Sequence, residues 1–207
     1  MLTPLRKGAD YHHGDLKRAA IIAARNLVAA KGLSGLGIRT VANRIGVTPP
    51  AMYRHFASLE ELQIELSARV RDELADFMTA RRDRANKSKS RRRRALDRFE
   101  AIGEAYVDYA RKNPRLFEIA FMSCDDEFVH DDTGRAALVL QEAIAELEEV
   151  GLLNARAKAL APMIAWSSVH GLATLVAQRA ISQREYARAL REVFAGVQRA
   201  ILKRTSA

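Results

Sequence analysis

Apolar residues recur every third or fourth position along almost the whole chain, the period of a helix buried on one side. Between 15 and 31, Leu16, Ala20, Ala23, Ala24, Leu27 and Val28 line one face. Gly32, Gly35 and Gly37 break that pattern, and a short second helix is predicted over 38–45, stopped by Gly46. A third short helix follows within Thr48–Phe56. A long helix then starts at Ser58, which can cap it while Glu61 reaches back. It decays into the polar, basic stretch 81–94. Further helices are predicted over 92–112, 114–122, 134–150, 155–181 and 183–203. Pro114 suits a first turn, Gly151 a helix stop and Asn154 a cap for the helix after it. Ser182 with Glu185 forms a second capping box. No run alternates as a strand and no fixed repeat is present, so the fold class is all-α, with about nine helices.

The two last helices are long and rich in alanine and leucine. Paired in a monomer they leave an apolar face uncovered, which a symmetric four-helix bundle between two copies would cover.

The 207 residues are 48% hydrophobic and 29% charged, the balance of a folded, soluble chain. No run approaches the ~20 apolar residues of a membrane span. The N-terminal residues lack an apolar signal core, so the expected compartment is cytoplasmic and no membrane partner is expected. Cys124 is the single cysteine, which excludes an intrachain disulfide and a cysteine metal site. The net charge of +9 points to a polyanionic partner. Residues 1–57 carry nine bases against Asp10 and Asp15, the balance of a DNA-facing unit.

The stretch "RIGVTPPAMYRHF" from Arg44 to Phe56 reads as helix, tight turn, helix, the plan of a DNA-reading helix-turn-helix. Two adjacent prolines open its second helix. Thr48, before a proline, takes the extended geometry of an N-cap, and Pro49 and Pro50 then occupy positions whose missing donors lack intrahelical partners anyway. With Thr48 as cap, its hydroxyl is expected to bond the Ala51 N–H. Pro50 also disfavours helical geometry at Pro49, so a distorted first turn and a start one residue later, with Pro49 as cap, both stay open. Met52 and Phe56 share the inward side, and Pro50, Tyr53 and Arg54 the outward one. Pro49, Pro50 and Ala51 offer only apolar contacts, leaving polar readout to Arg39, Thr48 and Arg54.

Gly32–Leu62, "GLSGLGIRTVANRIGVTPPAMYRHFASLEEL", closely resembles the DNA-binding domain of the tetracycline-repressor (TetR) family of bacterial transcription regulators. The glycine-rich entry, "IRTVANRIGV" and "AMYRHF" before a capped helix carry the resemblance. With the preceding helix it covers Tyr11 to Leu66. "AWSSVHGLA", Ala165–Ala173, resembles the Trp…His-Gly (WHG) signature in one class of TetR C-terminal domains. The resemblance implies a helix-turn-helix domain over 1–62 and a ligand-binding and dimerisation domain over 63–207. It places Arg39, Thr40 and Arg44 at DNA, with Thr48, Pro49, Pro50 and Ala51 at the leading end of the recognition helix. Tyr53 and His55 match phosphate contacts, with Arg54 between them. Leu59 stands where many members carry a phosphate-anchoring lysine, and Arg6, Lys7 or Arg44 can compensate. The family plan further implies a homodimer on a double-stranded palindromic operator and a small-molecule effector, with no cofactor and no enzymatic activity. Repression is commoner in the family than activation.

Trp166 and His170 share a helical face and, with Tyr106, Tyr109, Phe117 and Met163, are candidates to line the ligand cavity. The plainer alternative makes Trp166 core and His170 a hydrogen-bonded residue near a close helix contact that Gly171 permits. The carboxylates and His130 of 124–132 fit no metal motif and read as a solvated loop; the His12–His13 pair reads as part of an N-terminal arm or helix entry. The arginines 91–94 oppose the macrodipole of the helix they start, and read as a solvated, frayed turn or as a second nucleic-acid patch. Two other functions compete with the regulator: a sequence-indifferent nucleic-acid binder, and an all-α enzyme, for which the chain lacks phosphate-binding, HExxH and GxSxG motifs.

Overall fold

The computed structural model describes residues 13–85, 88–122 and 134–203. Arg6, Lys7, the side chains of the His12–His13 pair, Cys124 and the acidic run 124–132 lie outside them. The described residues form nine α-helices: α1 (His13–Lys31), α2 (Ile38–Ile45), α3 (Pro49–Tyr53), α4 (Leu59–Arg84), α5 (Arg91–Lys112), α6 (Pro114–Ala120), α7 (Arg135–Glu149), α8 (Ala161–Ala177) and α9 (Gln183–Ile201). The only pairing of extended backbone among them is an isolated antiparallel bridge between Leu153 and Leu202. The chain is all-α, as its periodicity requires.

Two compact units emerge, 1–70 with 115–129, and 71–114 with 130–207. In the first, α1 packs on α2 and α2 on α3. Ala20, Ala24 and Val28 of α1 meet Val41, Ala42, Met52, Phe56, Leu62 and Leu66 in a core with almost no exposure. Burying each larger side chain contributes about 1.5–3 kcal/mol. Arg115 of α6 donates to the carbonyls of Ala29 and Ala30, the open C-terminal end of α1. The Ser67 hydroxyl donates to the Ala120 carbonyl at 3.2 Å.

In the second unit α5 is the central helix, packed by α7 and α8, with α9 against α8. From Ala101 to Ala110 it is buried on nearly every side, Gly103 and Glu104 excepted. Gly103 has a specific reason: a Cβ there would lie 2.7 Å from the Phe194 ring of α9. Gly171 has open space around it and is exposed, so the close helix contact expected at Gly171 is found at Gly103 instead.

One helix start lies well away from the sequence reading. The helix expected from 155 begins at Ala161, because Pro162 falls in its first turn; a start at 155 would put that proline inside the helix, where it lacks a donor and clashes. Asn154 therefore caps no helix: its side-chain oxygen accepts from the Arg156 N–H at 3.0 Å in a local turn. That helix also ends at Ala177 rather than 181, with Arg179 in left-handed geometry at φ 60. At Ser58 the hydroxyl accepts from the Glu61 N–H at 3.1 Å, as expected, but the Glu61 carboxylate reaches the Ala57 N–H. The Ser182–Glu185 box forms in both directions.

Candidate nucleic-acid interface

The interface is built by two short helices and a three-residue turn. α2 turns Ile38, Val41 and Ala42 inward. The same spacing turns Arg39 and Asn43 outward as one row and Thr40 and Arg44 as the next, all exposed. Gly46 ends α2 in left-handed geometry, φ 75 and ψ 29, where a side chain is strained. The chain re-enters a helix at Pro49.

Thr48 is the N-cap, with φ −81 and ψ 148, and Pro49 opens the helix. This resolves the choice of cap. The expected hydroxyl bond to Ala51 is absent, however. Ala51 N–H instead donates to the Thr48 carbonyl at 3.0 Å, shared with Met52 N–H at 3.4 Å. The tight first turn occupies that donor and leaves the Thr48 hydroxyl pointing from an exposed residue with no cap to make. The helix is shorter than expected, ending at Tyr53, because His55 and Phe56 N–H both turn back to the Met52 carbonyl, at 2.9 and 3.0 Å. Met52 and Phe56 are fully buried and pin α3 to the core. Lys17 of α1 sits 5.7 Å over the Phe56 ring and pairs with Glu65 at 2.5 Å.

Of the sequence-derived candidates, Arg39, Thr40, Arg44, Thr48, Pro50, Tyr53 and Arg54 are exposed on this surface, while Pro49, Ala51 and His55 are half-buried. Asn43 was missed, although its place four residues after Arg39 puts it in the same outward row. An amide there can hydrogen-bond a base edge or a phosphate.

The six candidate ligand residues do not all meet. Tyr106, Trp166 and His170 form one cluster in the second unit. Tyr106 is buried and its hydroxyl lies 2.9 Å from His170 Nδ1; the Trp166 and His170 rings are 5.4 Å apart. Burial pushes the Tyr106 phenol far above its usual range, partly opposed by a hydrogen bond from Trp166. An indole N–H only donates, so the Tyr106 oxygen accepts from Trp166, and the direction of its hydrogen bond with His170 Nδ1 follows the tautomer of that ring. Tyr109 packs edge-on against Phe77 at 5.9 Å. Met163 is exposed, and Phe117 belongs to the first unit, beside Phe121 at 4.9 Å. A separate cleft of about 310 Å³ opens where α4 ends beside α5, lined by Arg81, Arg84, Asp97, Glu100 and Glu104. Among the described residues no group of His, Cys, Asp and Glu is arranged to hold a metal, and no helix is long and apolar enough to cross a membrane.

Comparison with known proteins agrees with this geometry. Residues 21–66 match the family described as bacterial regulatory proteins, tetR family, and residues 99–200 match the tetracyclin repressor-like C-terminal domain, a stretch that includes Trp166 and His170. The HTH-type transcriptional regulator YobS of Bacillus subtilis (strain 168) is 25% identical over 181 residues, 83% of this chain and 84% of that one. Among solved structures, a protein of unknown function from Rhodococcus sp. RHA1 superposes with a TM-score of 0.71 at 21% identity, covering 95% of this chain and 100% of that one. A TetR family transcription regulator from Marinobacter aquaeolei VT8 superposes at 0.62 and 18% identity, covering 92% and 98%. These likenesses establish the fold, and the two family matches establish more: the chain belongs to the TetR family of helix-turn-helix transcriptional regulators.

Proposed function

We propose that the chain represses transcription by binding a palindromic operator as a homodimer, and that a small molecule in its C-terminal domain releases it. The observation that carries the DNA reading is the exposed row Arg39, Asn43 beside Thr40 and Arg44, set next to Thr48, Tyr53 and Arg54 over a fully buried Met52–Phe56 anchor. Arg39, Thr48 and Arg54 are assigned to polar base readout and Tyr53 and His55 to phosphates. The Tyr106–Trp166–His170 cluster supports an effector site: it joins a buried phenol on α5 to two half-buried rings on α8 through hydrogen bonds. A ligand that replaced one link, and bound the two conformations with different affinity, would shift their populations.

Selection from a randomised duplex library tests the operator reading. Enrichment of an inverted repeat with half-sites one turn apart, roughly 34–36 Å, is expected; a library that stays random after selection overturns it. Arg39→Ala is expected to weaken binding to the selected duplex by about 1–3 kcal/mol and relax preference at one base position. Trp166 is the chain's single tryptophan, so its fluorescence reports the effector site directly. A compound that releases DNA without perturbing that emission binds elsewhere.

A further inference from the structure

We propose that the junction of α4 and α5 is a second duplex-DNA contact surface, which grips phosphates without reading sequence. It is separate from the helix-turn-helix and does not rest on the operator reading. The positive charge of this chain is not diffuse. The fourteen residues 81–94 hold nine bases against Asp83, whereas outside 1–57 and 81–94 the chain has 16 bases against 22 acids.

The described residues show which of these charges are occupied. Arg81 pairs with Asp108 at 3.3 Å, Arg82 with Glu142 at 2.5 Å and Arg93 with Asp97 at 2.7 Å. Arg94 donates to the Ser88 carbonyl at 3.1 Å. Arg84, Lys89, Arg91 and Arg92 are exposed and make no ion pair among the described residues. The last two sit in the first turn of a 22-residue helix that has no acid there. Ser90 takes the Arg93 N–H with its side chain and the Arg94 N–H with its carbonyl, leaving the Arg91 and Arg92 N–H groups at the open end. Cations at that end oppose the macrodipole and repel one another, a local cost that a bound polyanion would reverse.

The composition selects among polyanions. Residues 81–94 contain no aromatic and no large aliphatic side chain. Unpaired bases are held by aromatic stacking, and insertion into a lipid surface takes an apolar helix face; neither is offered, so this surface holds its partner through charge and hydrogen bonds alone. Arginine forks, lysine, serines and free backbone donors fit the phosphates of a duplex.

The test uses the full chain carrying Arg84→Gln, Lys89→Gln, Arg91→Gln and Arg92→Gln together. Its affinity for a random-sequence duplex of about 40 bp is followed between about 50 and 200 mM salt. Four lost phosphate contacts should reduce the slope of log K against log salt by about 3–4 per protomer, at ~0.9 each. A variant with lysine at Arg84, Arg91 and Arg92 should keep a slope near wild type. An unchanged slope in the glutamine variant overturns the proposal. So does a lysine variant that behaves like the glutamine one, since the loss is then structural rather than electrostatic. Loss of binding to phosphatidylserine vesicles with an unchanged duplex slope would assign the surface to lipid and overturn it equally.

Discussion

Asp108 gathers three cations around one carboxylate that is only 12% exposed. Arg111 reaches it at 2.7 Å, Lys112 at 2.7 Å and Arg81 at 3.3 Å. Burial pushes its pKa up, but the hydrogen bonds from Lys112 and Arg111 outweigh this and hold it below the usual range. A folded value below the unfolded one contributes stability that is fully present above the ordinary aspartate value of ~3.9 and is lost as pH falls through the lower folded value. Asp108→Asn keeps the shape and removes the charge. It is expected to cost about 1–2 kcal/mol at neutral pH, a modest figure because the three cations are part-exposed. Urea denaturation should show the gap between wild type and variant closing below about pH 4; an equal gap at both pH values would mean that the ion pairs contribute nothing. At this scale the sequence was informative about chemistry but not about partners. Trp166 and His170 share a face by spacing alone, whereas their link to Tyr106, 64 residues from His170, depends on how α5 and α8 pack.

At the scale of elements, Gly103 separates two effects of opposite sign. Alanine inside a helix is favoured over glycine by up to ~1 kcal/mol. Here the added Cβ would meet the Phe194 ring at 2.7 Å, so one of them must move. Gly103→Ala is expected to destabilise by about 1 kcal/mol in the wild type and to stabilise in a Phe194→Ala background. Thermal melts of the four combinations read the sign change, and its absence would show that the ring swings away freely. The elements themselves were largely legible because helix periodicity, glycine stops and capping boxes are local. The misses were local too. Pro162 carried the true start of α8, and the return of the His55 and Phe56 N–H groups to the Met52 carbonyl ends α3 at Tyr53. What local signals cannot give is which glycine lies under a neighbouring helix, since Gly103 and Gly171 look alike in sequence.

At the scale of the whole molecule, the proposed operator has two half-sites and each chain carries one reading surface. Affinity then depends on association, because the second half-site is engaged at an effective concentration that the dimer sets. α8 presents an exposed row four residues apart, Met163, Ser167, Gly171 and Leu175, with its large apolar members 56% and 45% exposed and its small ones between them. Packed against a second copy, that row would let two helices approach closely at Ser167 and Gly171, with Met163 and Leu175 closing the ends. Leu175→Glu would then place an unpaired carboxylate from each copy in the interface. At about 2–3 kcal/mol per buried polar group, the dimer dissociation constant should rise roughly 100-fold or more. Sedimentation should find monomers at micromolar concentration with unchanged helical content, and operator affinity should fall with the loss of the second half-site. The reading surface of each chain stays intact, so binding to a single half-site should not change. A variant that remains dimeric would remove α8 from the interface, and one that is monomeric yet still binds the full operator as tightly would remove the dimer from recognition.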